Sequence, residues 1–243
     1  MRIQTLAIRN IKEILRDPLN LGFGLGFPLV LILLLTAIQA NVPVSLFEIQ
    51  NITPGITVFG LSFLTLFSAT ILAKDRGSSL LQRLYTTPLI PVDFILGYAL
   101  PILPIAAAQC SICYLAAILL GLDVTLTILY AIICILPISV LFIAFGLLCG
   151  SVLNDKQVGG ICGALLTNLC AWLSGTWFDL DLVGGAFKRV AYALPFVHAV
   201  EMEKAILSGR FSEIFPHLWW VLGYSVILLL AAVGLFLRQM KRQ

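Results

Sequence analysis

Long uncharged apolar runs alternate with short polar segments along the whole chain. A helix needs about 20 mostly apolar residues, at about 1.5 Å each, to cross the hydrocarbon core of a bilayer. Strands of a membrane β-barrel would be about 10 residues long and would alternate in polarity, which these runs do not. The pattern therefore predicts an all-α integral membrane protein with six transmembrane helices, over residues 19–40, 52–73, 94–120, 125–150, 158–178 and 216–237.

Residues 2–17 predict a separate amphipathic helix before the first span. At 100° per residue its polar side chains share one arc and its isoleucines the opposite arc. A helix with a basic polar face joined directly to a span is expected to lie in the headgroup plane. A soluble helix packed on a partner protein is the alternative. The charged members of the polar arc are Arg2, Arg9, Lys12, Glu13 and Arg16.

Two polar loops are long enough to contain structure of their own. In residues 74–93, a short cytoplasmic helix is expected near Ser78–Tyr85, before the Thr-Pro pair that ends it. Residues 179–213 predict two more helices, over 186–194 and 196–207, which carry too much charge to span. We expect this loop to lie in the outer interface as a helical re-entrant or interfacial element.

The distribution of the 15 Lys and Arg residues predicts the orientation. Most of them fall in the N-terminal segment, the loop after span two and the C-terminus, whereas the first and third loops contain none. Because positive residues concentrate on the cytoplasmic side, both termini are predicted to be cytoplasmic in a multi-pass protein of the cell membrane. The loop 179–213 opposes this bias, since it carries Lys188, Arg189, Lys204 and Arg210.

Composition supports a membrane protein and narrows the chemistry. Hydrophobic residues make up 60% of the chain and charged residues 11%, against roughly 25% charged residues in soluble domains. All six cysteines lie inside apolar stretches, which favours small packing residues over disulfides or metal ligands. The Gly-x-x-x-Gly pairs at 146–150 and 159–163 predict close helix contacts, within the bundle or between two copies.

The interiors of the six predicted spans contain no Asp, Glu, Lys or Arg. Ion-driven carriers and intramembrane enzymes need such groups, so a stand-alone channel or ion-coupled carrier and a lipid-modifying enzyme are the less favoured alternatives. No P-loop occurs, so the energy for uphill transport would come from a partner. Milder polar groups could line a passage, and Gln109 and Asn168 are the candidates for a substrate path.

Two motifs, in order and with the expected spans between them, resemble the permease subunit of ABC-2 type ABC transporters. The first is Lys74-Asp75-Arg76-Gly77 followed by Thr87-Pro88, where the family usually has glutamate in place of Asp75. The second is Pro195-Phe196-Val197-His198 with Lys204, where the family has Arg or Gln in place of the lysine.

This resemblance implies a mechanism and a set of partners. Two permease subunits, identical or related, would pair in the bilayer above two ATP-binding cassette ATPase subunits, which hold the ATP and Mg²⁺; this chain itself would hold no cofactor and bind no nucleic acid. ATP-driven closure of the ATPases would move the bundles and export an amphiphilic drug, peptide or lipid-linked molecule. The short helix after span two would dock on the ATPase, and ordinary cytoplasmic anchoring by its charges is the less favoured alternative. The docking residues would be Lys74, Asp75, Arg76, Gly77, Leu80, Leu81, Arg83, Leu84, Thr87 and Pro88.

Overall fold

The computed structural model describes residues 2–42, 47–78 and 90–240, and it contains helices and no strand within those residues. An all-α fold is therefore confirmed. The first half of the chain forms α1 (Arg2–Leu15), α2 (Pro18–Gln39), α3 (Ile49–Gly77), α4 (Pro91–Ala99), α5 (Leu103–Leu119) and α6 (Leu126–Val152).

The second half contains shorter elements before one long final helix. They are α7 (Asp155–Val158), a π-helix (Gly159–Leu166), α8 (Thr167–Leu173), α9 (Leu180–Val183), α10 (Gly185–Ala193), α11 (Pro195–Leu207), a 3₁₀ turn (Phe211–Glu213) and α12 (Ile214–Met240). The break before α10 uses Gly184 and Gly185, which both have positive φ, a conformation that glycine adopts without steric cost.

Five segments of the described chain are long and apolar enough to cross a bilayer. They are Pro18–Gln39, Ile49–Gly77, Ile95–Leu119, Leu126–Val152 and Phe211–Arg238. The third includes the end of α4 and all of α5, with a turn at Pro101 between them. The predicted span 158–178 is helical only to Leu173 and changes from α to π and back, so the count of six spans stays a prediction.

The core of the bundle is formed by α3 packed against α6. Gly146 and Gly150 lie on this interface, and a Cβ atom on Gly150 would stand 2.7 Å from the carbonyl oxygen of Ala69. Only glycine lets the two backbones approach this closely. The prediction that the 146–150 pair packs within one bundle is therefore confirmed. The Oγ1 atom of Thr65 adds a hydrogen bond across the same interface, 2.9 Å from the carbonyl oxygen of Phe142.

The loop helix α11 is more buried than the sequence predicts. Helices over 186–194 and 196–207 are confirmed as α10 and α11. However, α11 packs against α3, α6 and α12, and most of its residues, from Pro195 to Ile206, are buried. The bundle therefore covers the apolar residues of α11, and the position of the loop in the membrane, re-entrant or interfacial, stays a prediction. The cause of this burial is the apolar stretch Phe196–Val200, which the neighbouring charged residues masked in the sequence.

The N-terminal helix α1 is shorter than predicted and rests on α4 along one edge. It ends at Leu15, and Asp17 becomes the N-cap of α2, with its Oδ1 accepting from the backbone N–H of Asn20 at 3.3 Å. Leu6 and Ile14 are buried, whereas Ile8 is 54% exposed. The exposed apolar strip fits the predicted position in the bilayer interface, which stays a prediction. The side chain of Arg2 lies outside the described part of the structure.

Candidate functional site: a polar junction at the end of α3

The predicted loop motif begins inside a helix. Because α3 continues to Gly77, the four residues Lys74 to Gly77 form its last turn, so the predicted cytoplasmic segment 74–93 begins with helical residues. Successive residues there face different directions: Lys74 is exposed, whereas Asp75 is 2% exposed. Because Lys74 is exposed and Asp75 is buried, the side chain of Asp75 faces the interior of the protein.

Asp75 is the centre of a small polar cluster that joins three helices. Its Oδ2 atom accepts hydrogen bonds from the Arg9 Nη1 of α1 at 2.5 Å and from the Tyr98 hydroxyl of α4 at 2.6 Å. Asn10, also buried, donates from Nδ2 to the carbonyl oxygen of Gly97 at 3.0 Å. We call these residues, Arg9, Asn10, Asp75 and Tyr98, the α3 junction.

Steric fit holds α1 against α4 beside these polar bonds. A Cβ atom on Gly97 would overlap the side chain of Leu6, so the glycine allows the leucine to sit directly on the α4 backbone. Leu6, Asn10 and Ile14 are spaced four residues apart and form the buried edge of α1. This edge places Arg9 on the side of α1 from which it reaches Asp75.

A further bond connects the same end of α3 to α6. Arg76 donates from Nη1 to the carbonyl oxygen of Gly150 at 2.8 Å. That carbonyl belongs to the last turn of α6, whose final C=O groups have no partner within the helix. The two consecutive residues Asp75 and Arg76 therefore connect α3 to helices on different sides, to α1 and α4 through the acid and to α6 through the base.

The electrostatics of the junction favour a charged pair. Partial burial alone would lower the pKa of Arg9, but the hydrogen bond and the negative charge of Asp75 outweigh this and raise the pKa of Arg9. Arg9 therefore stays cationic, and its charge compensates a carboxylate that solvent scarcely reaches. Buried pairs of this kind contribute little net stability, yet they penalise strongly any geometry that separates the partners. The junction thus fixes the relative positions of α1, α3 and α4.

A cavity of about 220 Å³ opens beside the junction, between α1, the start of α2 and α3. Its charged lining includes Glu13, Arg16, Asp17 and Lys74. Three charged positions predicted from the sequence, Glu13, Arg16 and Lys74, therefore meet at one place. The described structure shows Lys12 exposed and on no part of this lining.

The rest of the predicted docking segment falls outside the described residues. This concerns the expected helix near Ser78–Tyr85 beyond Ser78 itself, and the residues Leu80, Leu81, Arg83, Leu84, Thr87 and Pro88. What the structure does describe is where the segment starts and ends. It follows the end of α3, two residues after Asp75, and precedes the start of α4, seven residues before Tyr98. Both ends of the predicted docking segment are therefore attached to the α3 junction.

The second motif forms the start of α11. Pro195 occupies the first turn of the helix, where its missing N–H removes no hydrogen bond. His198 is 6% exposed, and its Nδ1 lies 2.9 Å from Nδ1 of His217 on α12. Its Nε2 lies 3.0 Å from the carbonyl oxygen of Tyr192, so Nε2 carries the proton in the neutral ring. Lys204 pairs with Glu201 at 3.0 Å on the partly exposed side of α11.

The two candidates for a substrate path do not share an environment. Gln109 on α5 is fully buried and donates from Nε2 to the carbonyl oxygen of Thr57 at 3.1 Å. Asn168 on α8 is exposed and donates to the carbonyl oxygen of Ala164 at 2.8 Å. A role for either in a passage stays a prediction.

One ionisable residue inside the bundle escaped the sequence analysis. Glu203 of α11 is completely buried, and its Oε2 accepts from the hydroxyl of Tyr114 on α5 at 3.1 Å. The predicted spans contain no Asp, Glu, Lys or Arg, but the loop helix brings a carboxyl group into the bundle. This removes part of the argument against an ion-coupled carrier. Helical spacing contained the signal, because Glu203 lies three or four positions from Ala199, Val200 and Ile206, on the apolar face.

Comparison with protein families agrees with this architecture. Residues 1–207 match the family model described as ABC-2 type transporter. A search of the curated proteins finds no match to the chain. The matched range covers α1 to α11 and thus includes the α3 junction and the buried loop helix. The family implies a multi-pass transport subunit that works with an ATPase partner. This chain belongs to the ABC-2 type transporter family.

Proposed function

We propose that the chain is the permease subunit of an ABC exporter and that the α3 junction couples it to the ATPase. In this proposal both termini are cytoplasmic, so the junction lies at the cytoplasmic end of α3. Two copies of an ATP-binding cassette subunit bind there, and a second permease, identical or related, completes the pore. ATP and Mg²⁺ are bound by the ATPase, and this chain supplies no catalytic group.

The observation that carries the proposal is the pair of bonds to Asp75. Arg9 and Tyr98 hold one carboxylate oxygen from two helices at 2.5 and 2.6 Å, and the predicted docking segment is attached to the same α3 and α4. A displacement of that segment therefore has to move α1, α3 and α4 together or break a charge-assisted pair, which is costly in a covered site. Such a connection transmits a cytoplasmic movement to the core helix of the bundle.

The substrate proposed is an amphiphile, such as a drug, a peptide or a lipid-linked molecule, moved outward across the cytoplasmic membrane. The reason is the apolar outer surface of α2, which exposes Phe23, Phe27 and Leu33 next to the bundle core. Aromatic and aliphatic side chains of this kind suit ligands that enter from the lipid phase. Specific polar recognition of a small hydrophilic solute would need more converging donors and acceptors than this surface offers.

Purification from the native membrane tests the partner. We expect a P-loop ATPase to purify with the chain, and uphill transport by the chain alone in vesicles would overturn the proposal.

Coupling is tested in nanodiscs by hydrogen exchange of α3 and α11 with and without a non-hydrolysable ATP analogue. The analogue should change the exchange of these helices in the wild type and in K156Q, which replaces an exposed lysine of α7 outside the predicted docking segment. It should not do so in D75N, although the ATPase stays bound. An unchanged response in D75N would remove Asp75 from the coupling path.

A further inference from the structure

Glu203 is the buried carboxyl group in α11 that the coupling mechanism does not use. The residue is fully inaccessible to solvent, in a helix packed against α3, α6 and α12. Its Oε2 receives one hydrogen bond, from the Tyr114 hydroxyl at 3.1 Å. Its Oε1 has no hydrogen-bond partner among the described residues. An ionised carboxylate offers about four acceptor positions, so this environment satisfies only a small part of them.

No cation compensates this carboxyl within the part of the chain that the structure describes. Lys204, the next residue, turns toward Glu201 and pairs with it at 3.0 Å. The charged residues of α3 lie only in its last turn, at Lys74, Asp75 and Arg76. The remaining titratable side chains on the elements around α11 are Cys110, Cys113 and Tyr114 on α5, Tyr130, Cys134 and Cys149 on α6, Cys170 on α8, Lys188, Arg189 and Tyr192 on α10, Glu213 in the 3₁₀ turn, and His217, Tyr224 and Arg238 on α12. Arg238, near the end of α12, is exposed.

These groups leave Glu203 without a counter-charge. The cysteines and tyrosines are neutral near pH 7. On α10, Lys188 bonds to Asp181 and Arg189 is exposed. On α12, His217 faces His198. A buried carboxylate without a cation is unstable enough that such groups bind a proton instead. Desolvation raises the pKa of Glu203 to about 8, although the Tyr114 hydrogen bond acts in the opposite direction.

We infer that Glu203 is a proton-binding site of the bundle, occupied while α11 is packed against α3, α6 and α12 with Glu203 bonded to Tyr114, and emptied when α11 leaves this packing. A proton on Oε1 neutralises the group and leaves Oε2 free to accept from Tyr114, so the bond at 3.1 Å persists. Separation exposes the carboxyl to water, its pKa returns toward about 4.3, and the proton passes to solvent. Proton release then accompanies the opening of the bundle around α11.

Infrared spectroscopy of the purified chain in nanodiscs tests this directly, because a protonated carboxyl and a carboxylate absorb at different frequencies. The wild type should show a protonated-carboxyl band at neutral pH that disappears with a midpoint near pH 8. E203Q should lack the band. E201Q should keep it, since Glu201 lies two positions away and pairs with Lys204. If E203Q leaves the neutral-pH band unchanged, Glu203 is ionised in the packed state and the inference is wrong.

Y114F provides a second variant that does not remove the acid. Because the Tyr114 hydroxyl favours the ionised form of Glu203, its loss should move the midpoint of the band to higher pH. An unchanged midpoint would show that Tyr114 does not bond to Glu203.

Hydrogen exchange tests the link to helix packing. Above pH 8 the α11 peptides of the wild type should exchange faster than those of E203Q at the same pH, and equal rates would refute the coupling. Neither measurement needs the ATPase, so failure here is distinct from failure of the proposed permease function.

Discussion

The contacts of the α3 junction predict that replacing both Arg9 and Asp75 costs less stability than replacing Arg9 alone. In R9A the carboxylate of Asp75, whose side chain is 3% exposed, keeps Tyr98 as its remaining described donor. Breaking a fully buried pair costs about 3–5 kcal/mol. The Arg9 side chain is 38% exposed and its charge is partly screened, so we expect R9A to lose about 2–3 kcal/mol.

The reciprocal change should cost less. In D75N the amide oxygen can still accept from Tyr98, and Arg9 can turn its guanidinium into solvent, so about 1–2 kcal/mol is expected. In the double variant R9A/D75N no charge is left buried. Its stability should therefore lie near that of D75N, which makes the double variant more stable than R9A alone. The expected coupling energy is then equal in size to the loss in R9A, about 2–3 kcal/mol.

Equilibrium unfolding by a denaturing detergent in mixed micelles, followed by circular dichroism, measures the four stabilities. The ion pair between Arg210 and Glu213 is the matched control, because both side chains are about half exposed at 53% and 50%. Its cycle should give about 0–0.5 kcal/mol. If the losses of R9A and D75N add within about 0.5 kcal/mol, Asp75 does not sit as a covered charge dependent on Arg9, and the reasoning for the junction fails.

Two further predictions concern packing and pH. G150V should destabilise by several kcal/mol or prevent folding, because a Cβ atom already stands 2.7 Å from the Ala69 carbonyl oxygen, whereas G159A, with open space around it, should lose no stability. Equal thermal stabilities of the two would contradict the close α3–α6 contact. Desolvation lowers the pKa of His198, so the unfolded chain binds more protons and stability should fall as pH drops below about 6.5. Comparing melting temperatures of the wild type and H198Q at about pH 7.5 and about pH 5.5 measures the contribution of His198 to this loss of stability. Identical pH dependence in the two proteins would show that His198 contributes nothing.

Apolar run length was sufficient to predict most of the spans, because the solvent for these helices is hydrocarbon and the length needed is fixed by its thickness. The bounds of α2 differ from the predicted span by one residue at each end. Residues 158–178 were less predictable. Their hydropathy fits a span, but the structure has a π-helix over Gly159–Leu166, and the length of an apolar run does not predict a change from α to π.

The candidate site was only half visible in the sequence. Asp75 and Arg9 were identified by motif and by helical arc, yet nothing local indicated that they would meet, since 66 residues separate them. Tyr98 was missed because a tyrosine near a span end is usually an interface anchor. Glu203 was missed for a different reason. Its neighbours in sequence include the charged residues Glu201 and Lys204. Only the helical period shows that Glu203 and Glu201, two positions apart, lie on different faces of α11.

The length of α3 has a mechanical consequence. Its 29 residues extend over about 43 Å, and most residues between Ile52 and Asp75 are buried by other helices. At the end opposite Asp75, Gly55 lies against Thr176 and Phe59 packs edge-on to Trp177 at 5.8 Å. A displacement of α3 along its axis, started at the Asp75 end, would therefore move the segment before α9 and α10 at the opposite end of the helix.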